Sequence, residues 1–390
     1  MDAQQLLEII KRGEDSNNQF KEIFNSSDSL AAELGAFSNS KGGNLFVGIA
    51  DDGSIKGLTK EAVGKLNQMI SNVCSQKIDP SISVTTENII LNENIVVVIS
   101  VPAGKNKFYI SNGSDIWVKV GADKRKAKRE EMRRLLQESS QIYADEQIVE
   151  NTQINDLDLY LVREFIEKRM EEKLEDITEP IERILNSMKV MGNSKCTLAG
   201  LLLFGKKSTF ELSQYGIGAV CWFGNDLSGV KYRDSMDIYG NISVLFSEGI
   251  AFIKRQLKRV QGEQGFNSLG ILEIPEIALE EVLVNAIVHR NYFISSNIRI
   301  LIFDNRVEII SPGVLPNTLN VEAIQMGVHI ARNPVLLSHT KDIPGIPYRG
   351  MGTGISRINK SCFKQGIKVE FLNQIEQNYF KVVFCRKDIH

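Results

Sequence analysis

At 390 residues the chain is long enough for two or three domains, each with its own buried core. Its 46 basic and 48 acidic residues nearly cancel, which excludes a global field that draws in nucleic acid, so any such surface has to be local. Apolar runs such as Leu198 to Phe204 are too short to span a bilayer, and five scattered cysteines without CxxC spacing argue for reduced thiols and against zinc.

The start, Met1-Asp2-Ala3-Gln4-Gln5, lacks a charged-then-apolar signal pattern, so a cytoplasmic location and no membrane partner are expected. Asp2 to Gly13 reads as a short helix with Leu6, Leu7, Ile9 and Ile10 on its buried side. A polar turn, Gly13 to Gln19, leads through Phe20-Lys21 into a strand. The next helix is predicted from Ser29, capped by Asp28 or Ser29, with Leu30, Leu34 and Phe37 inward. It stops at Asn39-Ser40-Lys41-Gly42-Gly43, where paired glycines permit the positive φ of a tight turn. Asn44 to Ala50 is a strongly apolar strand, ended by Asp51-Asp52-Gly53-Ser54. Short strands are predicted at 82–84, 95–101, 107–110 and 116–120, separated by turn signals at Pro102-Ala103-Gly104 and Asn112-Gly113. Directly after comes a basic run holding Lys124, Arg125, Lys126, Lys128 and Arg129, with Lys105 and Lys107 on a nearby hairpin. Taken alone, such a run is either a solvated helix face or a phosphate-binding surface.

Phe20-Lys21, then Ala36 to Gly43, then Leu45-Phe46-Val47-Gly48-Ile49-Ala50-Asp51-Asp52-Gly53, and then Gly57-Leu58 form an ordered set. Together they resemble the nucleic-acid-binding Schlafen AlbA_2 domain over about Leu7 to Gln137. The resemblance implies DNA or RNA as partner, and it turns the basic run toward phosphates, with contact mainly to the backbone. It also implies a divalent-metal site built from three carboxylates, as in Schlafen nucleases. Those three places hold Glu14, Gln19 and Asp51 here, so a neutral amide stands for one anionic ligand. Loss of that charge weakens a site for a hard cation.

The polar stretch Gln137 to Gln153 reads as a linker. Residues 141–272 then form a linker and central α/β scaffold: a helix from Leu157 to Met170, the apolar Thr197 to Gly205, a buried strand Ile217 to Phe223, and a long helix from about Asn241 to Val260. No chemistry is visible there, and Thr197 reads as a helix cap rather than a nucleophile.

In the last segment, 273–390, Glu280 to Tyr292 is predicted to be a buried helix on which Glu281 and Asn285 share one face. Strands at 298–303 and 306–310 form a hairpin, followed by Ser311-Pro312-Gly313-Val314-Leu315-Pro316. Gly350-Met351-Gly352-Thr353-Gly354 then runs into a helix, a pattern whose freed backbone N–H groups can cradle phosphate. The ordinary alternative is a buried helix beside a glycine-rich turn.

These three segments, in this order, resemble an ATP-binding domain of the gyrase/histidine-kinase (GHKL) type, in the branch found at the C-terminus of RecG-like regulators. The resemblance implies an α/β sandwich, ATP and Mg²⁺ as ligands, Glu281 as base, and Asn285 as Mg²⁺ ligand. It assigns ATP contacts to Asn285, Gly313, Gly350, Gly352, Thr353 and Gly354. The usual adenine-reading Asp-x-Gly-x-Gly is missing: only Gly313 follows the strand, and Asp304 belongs to a hairpin turn. Many such relatives continue into a DNA-reading winged helix, and none follows before His390, so sequence-specific repression is not expected.

The overall expectation is an α+β, multi-domain protein with domains 1–140, 141–272 and 273–390. It is expected to bind nucleic acid and nucleotide, to act as a regulator or defence factor, and to self-associate as a homo-oligomer. The alternatives are a metal-dependent nuclease using Glu14 and Asp51, or a ligand-free structural oligomer.

Overall fold

In the computed structural model the chain divides into two units, Met1–Ile142 and Tyr143–His390. The structure describes all residues except 92, 105, 139–141, 207–209, 228–230, 261–269, 317–318, 351 and 387–390, and only the backbone of 130, 133–134, 137–138 and 210–212. Lys105 and Met351 therefore lie outside the described residues.

The first unit is built on a four-stranded sheet in the order Asn18–Lys21, Gly42–Val47, Asn94–Pro102, Thr85–Leu91. The first pair is parallel and the others antiparallel. Alternation along the strands sends Leu45, Val47, Val97, Ile99 and Val101 to one core with Leu30, Leu34 and Phe37. Phe20, Phe46, Val96 and Val98 go to the other, where Leu6 of helix Ala3–Arg12 packs. Leu7 of that helix faces solvent rather than the core. The following helix, Ser27–Asn39, starts two residues before the expected Ser29 because Ser26 is the cap, its Oγ accepting from Asp28 N at 3.2 Å. Gly43 has φ 155°, and a Cβ there would lie 2.4 Å from Asn17 O and 2.6 Å from the Phe37 ring. The glycine lets this strand pass against the helix. The basic run differs from a single helical face. Its first half is the strand Asp123–Lys126, paired with Trp117–Val120 across a turn at Gly121 (φ 62°), and helix begins only at Arg129.

The second unit holds a six-stranded sheet ordered Tyr232–Ile238, Ile217–Trp222, Ile298–Ile302, Arg306–Pro312, Tyr379–Cys385, Val369–Gln374. This sheet runs across the boundary expected at 272/273, because Ile217–Trp222 pairs in parallel with Ile298–Ile302. Central and C-terminal segments thus share one core. Ile217, Ala219, Ile300, Ile302 and Ile309 pack against Leu245, Ile253, Leu283 and Ile287 of helices Ile242–Gln256 and Glu276–His289. Val220, Trp222, Leu301, Phe303 and Ile310 cluster on the opposite face with Tyr379. The result is a two-layer arrangement with its helices on one face. Gly249 lets the two helices approach, since a Cβ there would stand 3.1 Å from Leu283 Cδ2. Truncating Leu283, which is fully buried, would cost about 2–5 kcal/mol. Thr197 is the helix cap that was expected, accepting from Gly200 N at 3.1 Å. No described helix is long and apolar enough to cross a membrane.

Candidate functional site

Helix Glu276–His289 is hydrophobic nearly all round, which buries it between the sheet and its neighbours. Glu281, Asn285 and His289, four residues apart, open onto a single cavity whose wall also holds Ser311, Gly313, Arg332, Tyr348, Gly350, Gly352, Gly354 and Arg357. Three segments distant in sequence thus meet in one space. Gly350 and Gly352 take φ 67° and 68°, as a glycine turn requires. Helix Gly354–Gln365 then begins directly over Glu281: a Cβ on Gly354 would lie 2.1 Å from Glu281 Oε1.

Glu281 is 5% exposed and already engaged. Arg357, one turn into that second helix, donates to Glu281 Oε2 from Nη2 at 2.7 Å and from Nε at 3.3 Å, and from Nη1 to Thr353 Oγ1 at 3.1 Å. Asn285 Nδ2 faces Glu281 Oε1 at 3.5 Å. The carboxylate therefore lies at a helix N-terminus, where negative charge is favoured, and beside a guanidinium. Gly313 (φ 95°) is fixed by Asn291 and Arg332, which a Cβ would meet at 2.5 and 3.0 Å. Ser311 lies near the end of strand Arg306–Pro312, and its hydroxyl donates to Ala286 O at 2.9 Å. Asp304 sits in the hairpin turn, accepting from Gly224 N and paired with Arg233 at 2.6 Å. Burial, with Arg332 and then His329 nearby, pushes the His289 imidazole down to about 4, and burial with Glu281 raises the Tyr348 phenol to about 12. Both are neutral near pH 7. Arg357, His289 and Ser311 had no role assigned from sequence; the only signal for Arg357 was its place four residues after Thr353.

In the first unit most of the basic run is engaged internally. Lys124 Nζ pairs with Glu33 Oε1 at 2.6 Å, and Glu33 is 2% exposed. Arg125 makes a two-pronged pair with Glu131, both contacts 2.7 Å. Lys126 pairs with Asp115 at 2.9 Å and lies over the Trp117 ring with Lys124. Lys128 and Arg129 are exposed, while Lys107 is half-buried. Glu14 Oε1 accepts from Gln19 Nε2 at 2.5 Å and Phe20 N at 2.7 Å. On its other side Gln19 offers Oε1 to the ammonium of Lys119, which also donates to Ala122 O and lies 5.0 Å from the Phe37 ring centre. Asp51, its side chain 82% exposed, pairs with Lys21 at 3.4 Å.

Residues 14–128 match the family model described as Schlafen, AlbA_2, and residues 295–384 the one described as ATP-dependent DNA helicase recG C-terminal. The chain carries a Schlafen AlbA_2 domain and a RecG C-terminal-like domain. Between them, residues 133–215 match a domain family of unknown function. The RecG-like match begins after the helix that carries Glu281 and Asn285. No curated protein matches the chain. A crystal structure of the DIP2311 protein from Corynebacterium diphtheriae aligns over 98% of this chain and 80% of its own, at 20% identity and a TM-score of 0.48.

The AlbA_2 domain raises the metal question directly. Among the described residues no three His, Cys, Asp or Glu side chains group closely enough to hold a metal. Where three carboxylates are implied, Glu14 spends an oxygen on two N–H donors, Gln19 is neutral, and Lys119 stands against Gln19. These residues do not fit a divalent cation.

Proposed function

We propose that the protein binds nucleic acid through its AlbA_2 domain and an adenine nucleotide through its RecG-like domain, and acts as a regulator or defence factor whose grip on nucleic acid responds to nucleotide. One observation carries the nucleotide half: the Glu281 helix, the Gly313 turn and the Gly350–Gly354 loop close a single cavity. Asn285 suits Mg²⁺, since its amide nitrogen faces Glu281 and its oxygen is the remaining end. Mg²⁺ keeps several waters and needs few protein ligands when phosphates supply the rest. Bound there, it would offset phosphate charge. Gly350, Gly352 and Gly354 give the phosphates close backbone approach, and Arg332 and Arg357 supply positive charge at the wall. Glu281 can act as a base toward water only after its contact with Arg357 is released, so tight binding with slow hydrolysis is the expected behaviour. The missing Asp-x-Gly-x-Gly pattern supports weak discrimination for adenine. Self-association as a homo-oligomer is part of the same reading.

Thermal unfolding with ATP and Mg²⁺ tests it. The melting temperature should rise with nucleotide, by linkage, and Asn285→Ala should remove the rise. Glu281→Gln should keep binding and abolish hydrolysis. A wild-type chain indifferent to millimolar ATP would end the nucleotide reading.

A further inference from the structure

The AlbA_2 domain has a polar centre at two of the three places where the resemblance implies metal ligands, Glu14 and Gln19. Its polar centre is a relay of opposite charges bridged by one amide: Glu14 carboxylate, Gln19 side chain, Lys119 ammonium. The amide is used at both ends, its nitrogen donating to Glu14 and its oxygen accepting from Lys119. Lys119 is held there by the chain around it. Its backbone N–H donates to Ser40 Oγ at 2.9 Å, and Asn39 Nδ2 donates to Trp117 O at 2.9 Å, two residues earlier on the same strand. Asn39 Oδ1 also accepts from Tyr109 N at 2.6 Å, so the end of helix Ser27–Asn39 fixes the strand that presents the lysine. The ammonium then spends a further donor on Ala122 O and lies by the Phe37 ring. Beneath it the buried Glu33 gives one oxygen to Lys124, and its other oxygen has no partner among the described residues.

We propose that Lys119 is the resident cation of this site, an ammonium standing where a divalent metal would sit, so that the domain is assembled and binds nucleic acid without metal. Charge balance supports the exchange. Replacing a carboxylate by Gln19 removes one negative charge, and replacing a dication by an ammonium removes one positive charge. The two changes compensate, whereas either alone leaves the centre unbalanced. A second cation beside Lys119 would face like charge and too few anionic oxygens. The Lys119 centre lies in the first unit and its metal binding is measured without nucleotide, so its failure and that of nucleotide binding are distinguishable.

The test is Mn²⁺ binding to the full chain, followed by calorimetry and by the loss of the free-ion paramagnetic signal. Wild type should bind no Mn²⁺ that Glu14→Gln removes. Gln19→Glu alone, close in shape, should stay at the wild-type level, because Lys119 pairs with the new carboxylate. Gln19→Glu with Lys119→Met should tighten Mn²⁺ on the order of a hundredfold, and Mn²⁺ should then raise its melting temperature. Adding Glu14→Gln should reverse both effects. Wild-type Mn²⁺ binding dependent on Glu14, or full binding created by Gln19→Glu alone, would overturn the proposal. So would a folded double variant that remains blind to Mn²⁺. If the double variant does not fold, Lys119→Ala is examined by thermal unfolding with added methylammonium. Recovery that tetramethylammonium fails to give upholds the resident cation, and no recovery rejects it.

Discussion

The two sites both satisfy an ionic position from within the chain, and they do so with different freedom to let go. In the second unit Arg357 holds Glu281 at the wall of a cavity, its guanidinium side chain 32% exposed and, among the described residues, anchored otherwise to Thr353. Every contact that Arg357 makes there could be remade on a phosphate oxygen. In the AlbA_2 domain Lys119 is tied to a backbone carbonyl and carried by a strand that Asn39 and Ser40 clamp. An internal ion beside an open cavity is displaceable, and one woven into backbone hydrogen bonds is structural. That difference is why a ligand response is expected from one domain and constitutive binding from the other.

The largest effect should come from cutting the displaceable pair. Arg357→Met leaves the Glu281 carboxylate buried without its cation, and removing one partner of such a pair costs about 3 kcal/mol. The urea midpoint of the C-terminal unit should fall accordingly, and adding Glu281→Gln should restore most of it. If Arg357→Met alone is neutral, Glu281 is solvated by other means and the contrast between the sites fails.

His289 sharpens the same contrast through pH. Its folded value near 4 lies below the ordinary 6.5, so the folded state favours the neutral ring. The stability this gives is fully present above pH 6.5 and is lost as pH falls toward 4. The loss should reach about 2 kcal/mol after allowance for partial exposure, and His289→Gln should flatten the fall. Denaturation midpoints from pH 7 to pH 4 measure it, and an unchanged slope in the variant would remove His289 as the cause.

What could be read without the fold was local. The glycine pair after Asn39 and the amphipathic stripe of Glu281 and Asn285 follow from sterics and helical period, and both are present as expected. Two classes of feature were hidden. Strand partners are not encoded in local period, so the parallel pairing of Ile217–Trp222 with Ile298–Ile302, which joins segments expected to be separate, had no signature. Long-range polar contacts were equally silent: Arg357 meets Glu281 across 76 residues, Lys124 meets Glu33 across 91, and Lys119 meets Gln19 across 100. A basic run read as a line of letters promises free cations, and only the fold reveals that its first half is occupied.

That occupation yields the finest test, because it splits one run into two kinds of lysine. Lys124→Ala should destabilise the AlbA_2 unit by about 2 kcal/mol, since Glu33 is buried and loses the ammonium paired with its Oε1. The change in nucleic-acid affinity with salt should barely move, because a lysine already paired inside the protein releases few counterions from a bound phosphate. Lys128→Ala and Arg129→Ala should do the reverse. Both side chains are exposed, so each substitution should leave stability within about 0.5 kcal/mol. Each should also lower the slope of log affinity against log salt by up to about one. Measuring both quantities on all three variants separates the roles, since stability reports internal pairing and slope reports phosphate contact. A slope lost with Lys124 and kept without Lys128 and Arg129 would mean that nucleic acid pulls Lys124 away from Glu33. The AlbA_2 domain would then hold a displaceable ion after all, and the distinction between the two domains would be one of degree.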